Sequence, residues 1–149
     1  MVPFVLVGLA VAAAVGYHFL AFFTPRPEVA LSSALSLGGS AALEWRFRGR
    51  VEMLKRLRIA LVGKEWVSHS GQKGSSIDSH VFRRVELLDL AAPPDQGFLS
   101  VTVPAGTMHS FAGENNKIVW SIKVEGEIPI WPDLDQDFVI EVLPAGGVR

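Results

Sequence analysis

From Leu43 the chain alternates strictly, with Leu43, Trp45 and Phe47 apolar and Glu44, Arg46 and Arg48 charged. A strand sends successive side chains to opposite sides, so this spacing makes one face for a core and one for water. Leu57, Ile59 and Leu61 repeat the pattern between Arg56, Arg58 and Ala60. Further inward sets follow at Leu99, Val101 and Val103, at Ile118, Trp120, Ile122 and Val124, and at Phe138, Ile140 and Val142. Glu28 to Leu35 makes a first strand, closed by the turn-forming Gly38-Gly39-Ser40. About seven or eight short strands, without a helical period after Pro27, predict an all-β antiparallel β-sandwich. Its expected interior is Trp45, Phe47, Leu57, Ile59, Leu61, Ile118, Trp120, Ile122, Phe138 and Ile140.

One hairpin can be registered from its side chains. A turn centred on Gly74-Ser75, within Gly71 to Ser76, sets Glu65 opposite Arg84, Trp66 opposite Arg83 and Val67 opposite Phe82. Those are an ion pair, a cation–π contact and an apolar pair. The same register makes His69 and His80 cross-strand partners.

The amino-terminal stretch obeys a different rule. Val2 to Phe23 holds no Asp, Glu, Lys or Arg, and all 14 Lys+Arg and 15 Asp+Glu of the 149 residues lie beyond it. At 1.5 Å per residue such a run extends roughly 33 Å, enough for a hydrocarbon core of about 30 Å. The expectation is one N-terminal transmembrane helix over 1–23, a proline linker over 24–27 and a sandwich over 28–149. A cleaved signal peptide is the competing reading, but no basic residue precedes the apolar run. Arg26 after the span, with Arg46, Arg48 and Arg50 further on, places the C-terminal domain on the cytoplasmic side of the cell inner membrane by the positive-inside rule; the rule weakens before a long folded domain, so the reverse topology stays open.

Gly8, Ala12 and Gly16 recur at every fourth position and present a small-residue face on which another helix can pack closely. The alternative is ordinary membrane-helix composition. His18 is the one ionisable side chain of the run, four residues after Ala14. That pairing resembles the chlorophyll-ligating pattern of light-harvesting helices, which would make His18 a pigment ligand; otherwise it is a neutral imidazole bonding to interfacial water beside Tyr17.

The segments Leu61-Val62-Gly63-Lys64-Glu65, Val101-Thr102-Val103-Pro104, Ser110-Phe111 and Ile118 to Val124 together resemble the pattern of immunoglobulin/arrestin-like β-sandwiches. The stretch from Met108 through Asn115-Asn116-Lys117 to Trp131-Pro132-Asp133 is also similar to an uncharacterised bacterial membrane-anchored group. The resemblance covers roughly 43–144. It implies a non-enzymatic adaptor that binds membrane proteins. No counterpart of the phosphate-sensing polar core of visual arrestins is identifiable, so no functional residue carries over.

The remaining chemistry is sparse. With no cysteine, disulfides and thiolate metal sites are excluded, and a net charge of -1 gives no footprint for nucleic acid. His109-Ser110 is an adjacent His and Ser pair, and neighbours on an extended chain point apart. His69 and His80 are metal candidates, with Asp78 as the only third ligand, whereas zinc takes at least three protein ligands. Asp133, Asp135 and Asp137 suggest calcium or a solvated acidic loop. Basic residues gather early and acidic ones late. Arg46, Arg48 and Arg58 therefore form an expected docking surface for anionic headgroups or a partner, unless the two regions neutralise each other.

These readings predict a non-enzymatic accessory scaffold, without cofactor, that stabilises an integral membrane protein complex and touches the lipid bilayer. Photosynthetic and respiratory assemblies are natural hosts for such a subunit. A membrane-anchored ligand- or metal-sensing module is the alternative; a small-molecule substrate is not expected.

Overall fold

The structure is a computed structural model and describes residues 2–146. Met1 and residues 147–149, the outer limits of the expected helix and sandwich, lie outside the described residues. One helix, α1 (Val2–Ala21), precedes ten strands among the described residues. The first sheet joins β1 (Arg26–Leu31), β3 (Ser40–Arg48) and β6 (Gln96–Thr102), with β3 central. The second joins β5 (Gly74–Ala91), β4 (Arg56–Gly71) and β8 (Asn116–Glu127) in that order. On the far side of β8, β7 (Phe111–Ala112) and β9 (Leu134–Ile140) lie end to end. A short parallel pair, β2 (Leu35–Ser36) with β10 (Val142–Leu143), completes the strands.

The alternation closes the core as expected. Leu43, Trp45 and Phe47 of β3 face Leu57, Ile59 and Leu61 of β4 and Ile118, Trp120 and Ile122 of β8, all buried. Phe138 and Ile140 are half-buried against that cluster. The Trp120 indole Nε1 donates to the Met108 carbonyl at 2.9 Å, which satisfies the one polar atom of the largest enclosed side chain.

The hairpin register differs from the expected one. Gly71 pairs with Gly74 around Gln72-Lys73, so Glu65 faces His80, Trp66 faces Ser79 and Val67 faces Asp78. Gly74 holds φ 122°, which a glycine adopts without strain. Two bulges then shift the pairing, leaving Phe82 and Leu87 of β5 as extra residues. Phe82 turns inward and meets Trp120 edge-on at 5.5 Å between centroids. It lies over Gly63, where an added Cβ would come within 2.6 Å of its ring. The expected cation over Trp66 comes from the other neighbour strand, as Lys117 of β8 sits 5.4 Å from the ring.

The transmembrane expectation is overturned. Among the described residues no helix is long and apolar enough to cross a membrane. Nor does α1 reach Phe23. The Phe22 and Phe23 amides bond back three residues to the Phe19 and Leu20 carbonyls, which tightens and ends the last turn. Strand β1 begins at Arg26, and Pro25 and Pro27 are buried against the sandwich.

Candidate functional site

Apolar side chains remain exposed along α1. Val7, Leu9, Val11, Val15, Tyr17 and Phe19 each keep more than half of their surface in solvent. The sandwich closes its core without them. Gly8 and Ala12 are exposed and Gly16 is half-buried, and a Cβ added at Gly8 or Gly16 would meet nothing within 4 Å. The small-residue face is therefore open. His18 is exposed, with its ring edge-on to Tyr17 at 6.1 Å.

The three arginines expected to form one docking surface do not share a face. Trp45 and Phe47 point into the core, so Arg46 and Arg48 stand on the outer side of the first sheet. Leu57 and Ile59 point inward from the second sheet, so Arg58 stands on the opposite outer side. Each also has an acid: Arg46 with Glu44 at 3.4 Å, Arg48 with Glu28 at 2.7 Å and Arg58 with Glu127 at 3.7 Å.

Arg58 belongs to a lattice of ion pairs covering the second sheet. Arg56 grips Asp89 with two bonds of 2.7 Å, and Arg84 bonds Glu86 at 2.6 Å and Glu125 at 2.9 Å. Lys123 donates to Asp135 at 2.7 Å and lies 3.5 Å from Asp137, which also faces Lys64 at 3.8 Å. The Arg56 hydrogen bonds hold the Asp89 carboxyl below its ordinary range. The Asp135 hydrogen bond raises the Lys123 ammonium. The early basic and late acidic stretches meet here because β4 pairs with β8, and β8 with β9.

That pairing also accounts for the acidic run. Asp133 accepts from the Ile128 amide at 3.2 Å, while Asp135 and Asp137 hold Lys123. The histidines are scattered. His69 pairs with Ser76 and lies 3.4 Å from Asp78, whereas His80 pairs with Glu65. Among the described residues no group of three His, Cys, Asp or Glu side chains is placed to hold a metal ion. His109 Nδ1 donates to the Ser110 carbonyl at 2.7 Å, and the Ser110 hydroxyl accepts from the Val142 amide at 2.8 Å. The two are engaged with backbone rather than with each other.

Sequence reasoning missed one cluster. At the foot of α1 a cleft of about 310 Å³ is lined by Phe22, Phe23, Thr24, Arg26, Arg48 and Arg50, together with Gly49. Its signal was present in the pairing of β1 with β3, which sets Arg26 opposite Arg48.

No family model matches the chain, and no curated protein matches it. Among solved structures it is similar to Spo0M, the sporulation control protein of Bacillus subtilis. The TM-score is 0.54 and the identity 13%, over 80% of this chain and 49% of that one. The chain thus spans about half the length of that protein. A beta-glucosidase from Listeria innocua aligns at TM-score 0.33 and 15% identity over 80% of this chain and 16% of that one, too slight a likeness to carry an argument. The likeness to Spo0M supports an arrestin-like fold for the sandwich.

Proposed function

We propose that this arrestin-like sandwich is a non-enzymatic accessory module that stabilises a larger protein assembly, with α1 as the element its partner covers. The observation that carries the reading is the exposure of apolar side chains along α1 beside a core that is already complete. Each Val, Leu or Phe side chain gains about 1.5–3 kcal/mol when buried, so several together supply a strong drive to associate. Gly8, Ala12 and Gly16 let a partner helix come close.

Copurification in mild detergent followed by mass spectrometry tests this. A partner recovered at fixed stoichiometry, with recovery reduced about tenfold or more by Ala12→Leu or Gly16→Leu while the sandwich still folds, is the expected result. Recovery unchanged by both substitutions would refute the role of the helix face, and the absence of any stoichiometric partner would refute the scaffold reading.

A further inference from the structure

Antiparallel pairing of β1 with β3 sets Arg26 directly opposite Arg48. Like charges in that arrangement repel and weaken the strand pair unless something neutralises them. Arg48 has Glu28 at 2.7 Å, and Arg50 has Glu52 at 3.3 Å. Among the described residues no ion pair reaches Arg26. Gly49, at φ 99°, turns the chain between Arg48 and Arg50, and both residues line the same cleft as Arg26. Among the described residues no acidic side chain lines it. A helix C-terminus favours nearby positive charge, which accounts for one cation at the foot of α1. It does not call for three.

The cleft has a second character. Phe22 is 71% exposed and Phe23 is 47% exposed at its mouth, and the apolar length of α1 leads away from them. Cations and bare aromatics side by side suit a ligand that is anionic at one end and apolar at the other. Guanidinium groups match phosphate oxygens through forked, charge-assisted hydrogen bonds.

We propose that the cleft formed by Arg26, Arg48 and Arg50 binds the phosphate of an anionic phospholipid headgroup, with Phe22 and Phe23 against the upper part of its acyl chains. A phospholipid occupies both halves of the site. Free phosphate, or a phosphorylated peptide, uses only the arginines and leaves the phenylalanines bare.

The test uses the full chain with vesicles of phosphatidylcholine alone and of phosphatidylcholine mixed with phosphatidylglycerol. The cleft arginines, Arg26 unpaired and Arg48 and Arg50 each shared with an acid, should tighten binding to the anionic vesicles by at least about fivefold. The preference should vanish in about 1 M salt, where charge is screened within about 3 Å. Replacing all three by glutamine (Arg26→Gln, Arg48→Gln, Arg50→Gln) should remove the preference while leaving binding to neutral vesicles unchanged. Arg83→Gln, an exposed arginine on β5, should leave the preference intact. Should the triple variant fail to fold, Arg26→Gln alone removes the unpaired guanidinium and should reduce the preference about fivefold. Equal binding to both vesicle types, or a preference that survives these substitutions, overturns the proposal. So does displacement from anionic vesicles by inorganic phosphate or by a phosphoserine peptide at millimolar concentration, which would identify a phosphate site with no use for lipid.

Discussion

The indole of Trp120 is fully enclosed, donates to the Met108 carbonyl and takes the edge of Phe82, so its truncation removes packing and leaves an acceptor unpaired. Trp120→Ala should cost about 3–5 kcal/mol in urea unfolding. Gly63 is held to the smallest side chain by the Phe82 ring, and Gly63→Ala should destabilise by about 1–3 kcal/mol through overpacking. Adding Phe82→Leu should recover part of that loss; a double variant no better than Gly63→Ala alone would place the clash elsewhere. The inward role of Trp120 was legible from alternation. That of Phe82 was not, because a bulge adds a residue and resets the parity on which alternation depends. Titration provides another test. The folded Lys123 ammonium is raised above its unfolded value of about 10.4, so its contribution is fully present below about pH 10.4 and is lost as pH rises through the folded value. The alkaline fall in stability should be shallower in Lys123→Met than in the parent chain, measured by thermal unfolding across that window.

Strands were read well as elements and poorly in their partnerships. Each inward set survives, since burying one face of a strand needs nothing but the period of two. Hairpin register depends instead on where the turn sits. Gly71 to Ser76 offers several turn-forming centres, and the chain uses Gln72-Lys73. The helix was misjudged in length because hydropathy alone does not mark where Phe22 and Phe23 fold back onto the last turn. Beyond Val67 the β4–β5 arm has no third strand, as β8 pairs no further than Asn116. From His69 to Val81 every described side chain is exposed. Replacing Ser68 to Ile77 with Asn-Gly should therefore change stability by no more than about 0.5 kcal/mol, checked by urea unfolding.

At the scale of the molecule, the division of charge along the chain was legible, but the surface it makes was not. Pairing β4 with β8, and β8 with β9, turns a sequence-level imbalance into local neutralisation, while Arg46 and Arg48 stand across the sandwich from Arg58. If assembly uses these arginines, reversing Arg46 and Arg48 to Glu should act independently of Arg58→Glu, with effects that add within about 0.5 kcal/mol. His69, His80 and His109 converge on no common site, so replacing all three by Gln should leave the yield of assembled complex near normal; its abolition would demand imidazole chemistry. The outer margin of β5 has a consequence of another kind. Among the described residues it is the longest strand, and on its far side its backbone donors and acceptors meet no other strand. Such a margin ordinarily invites growth by addition of foreign chains. The extra residues at Phe82 and Leu87 kink it twice, so an incoming segment cannot stay in phase along its length without two matching insertions of its own. The chain thereby carries a built-in obstacle to fibril formation at its most vulnerable boundary, installed by two half-buried side chains that pack against its core.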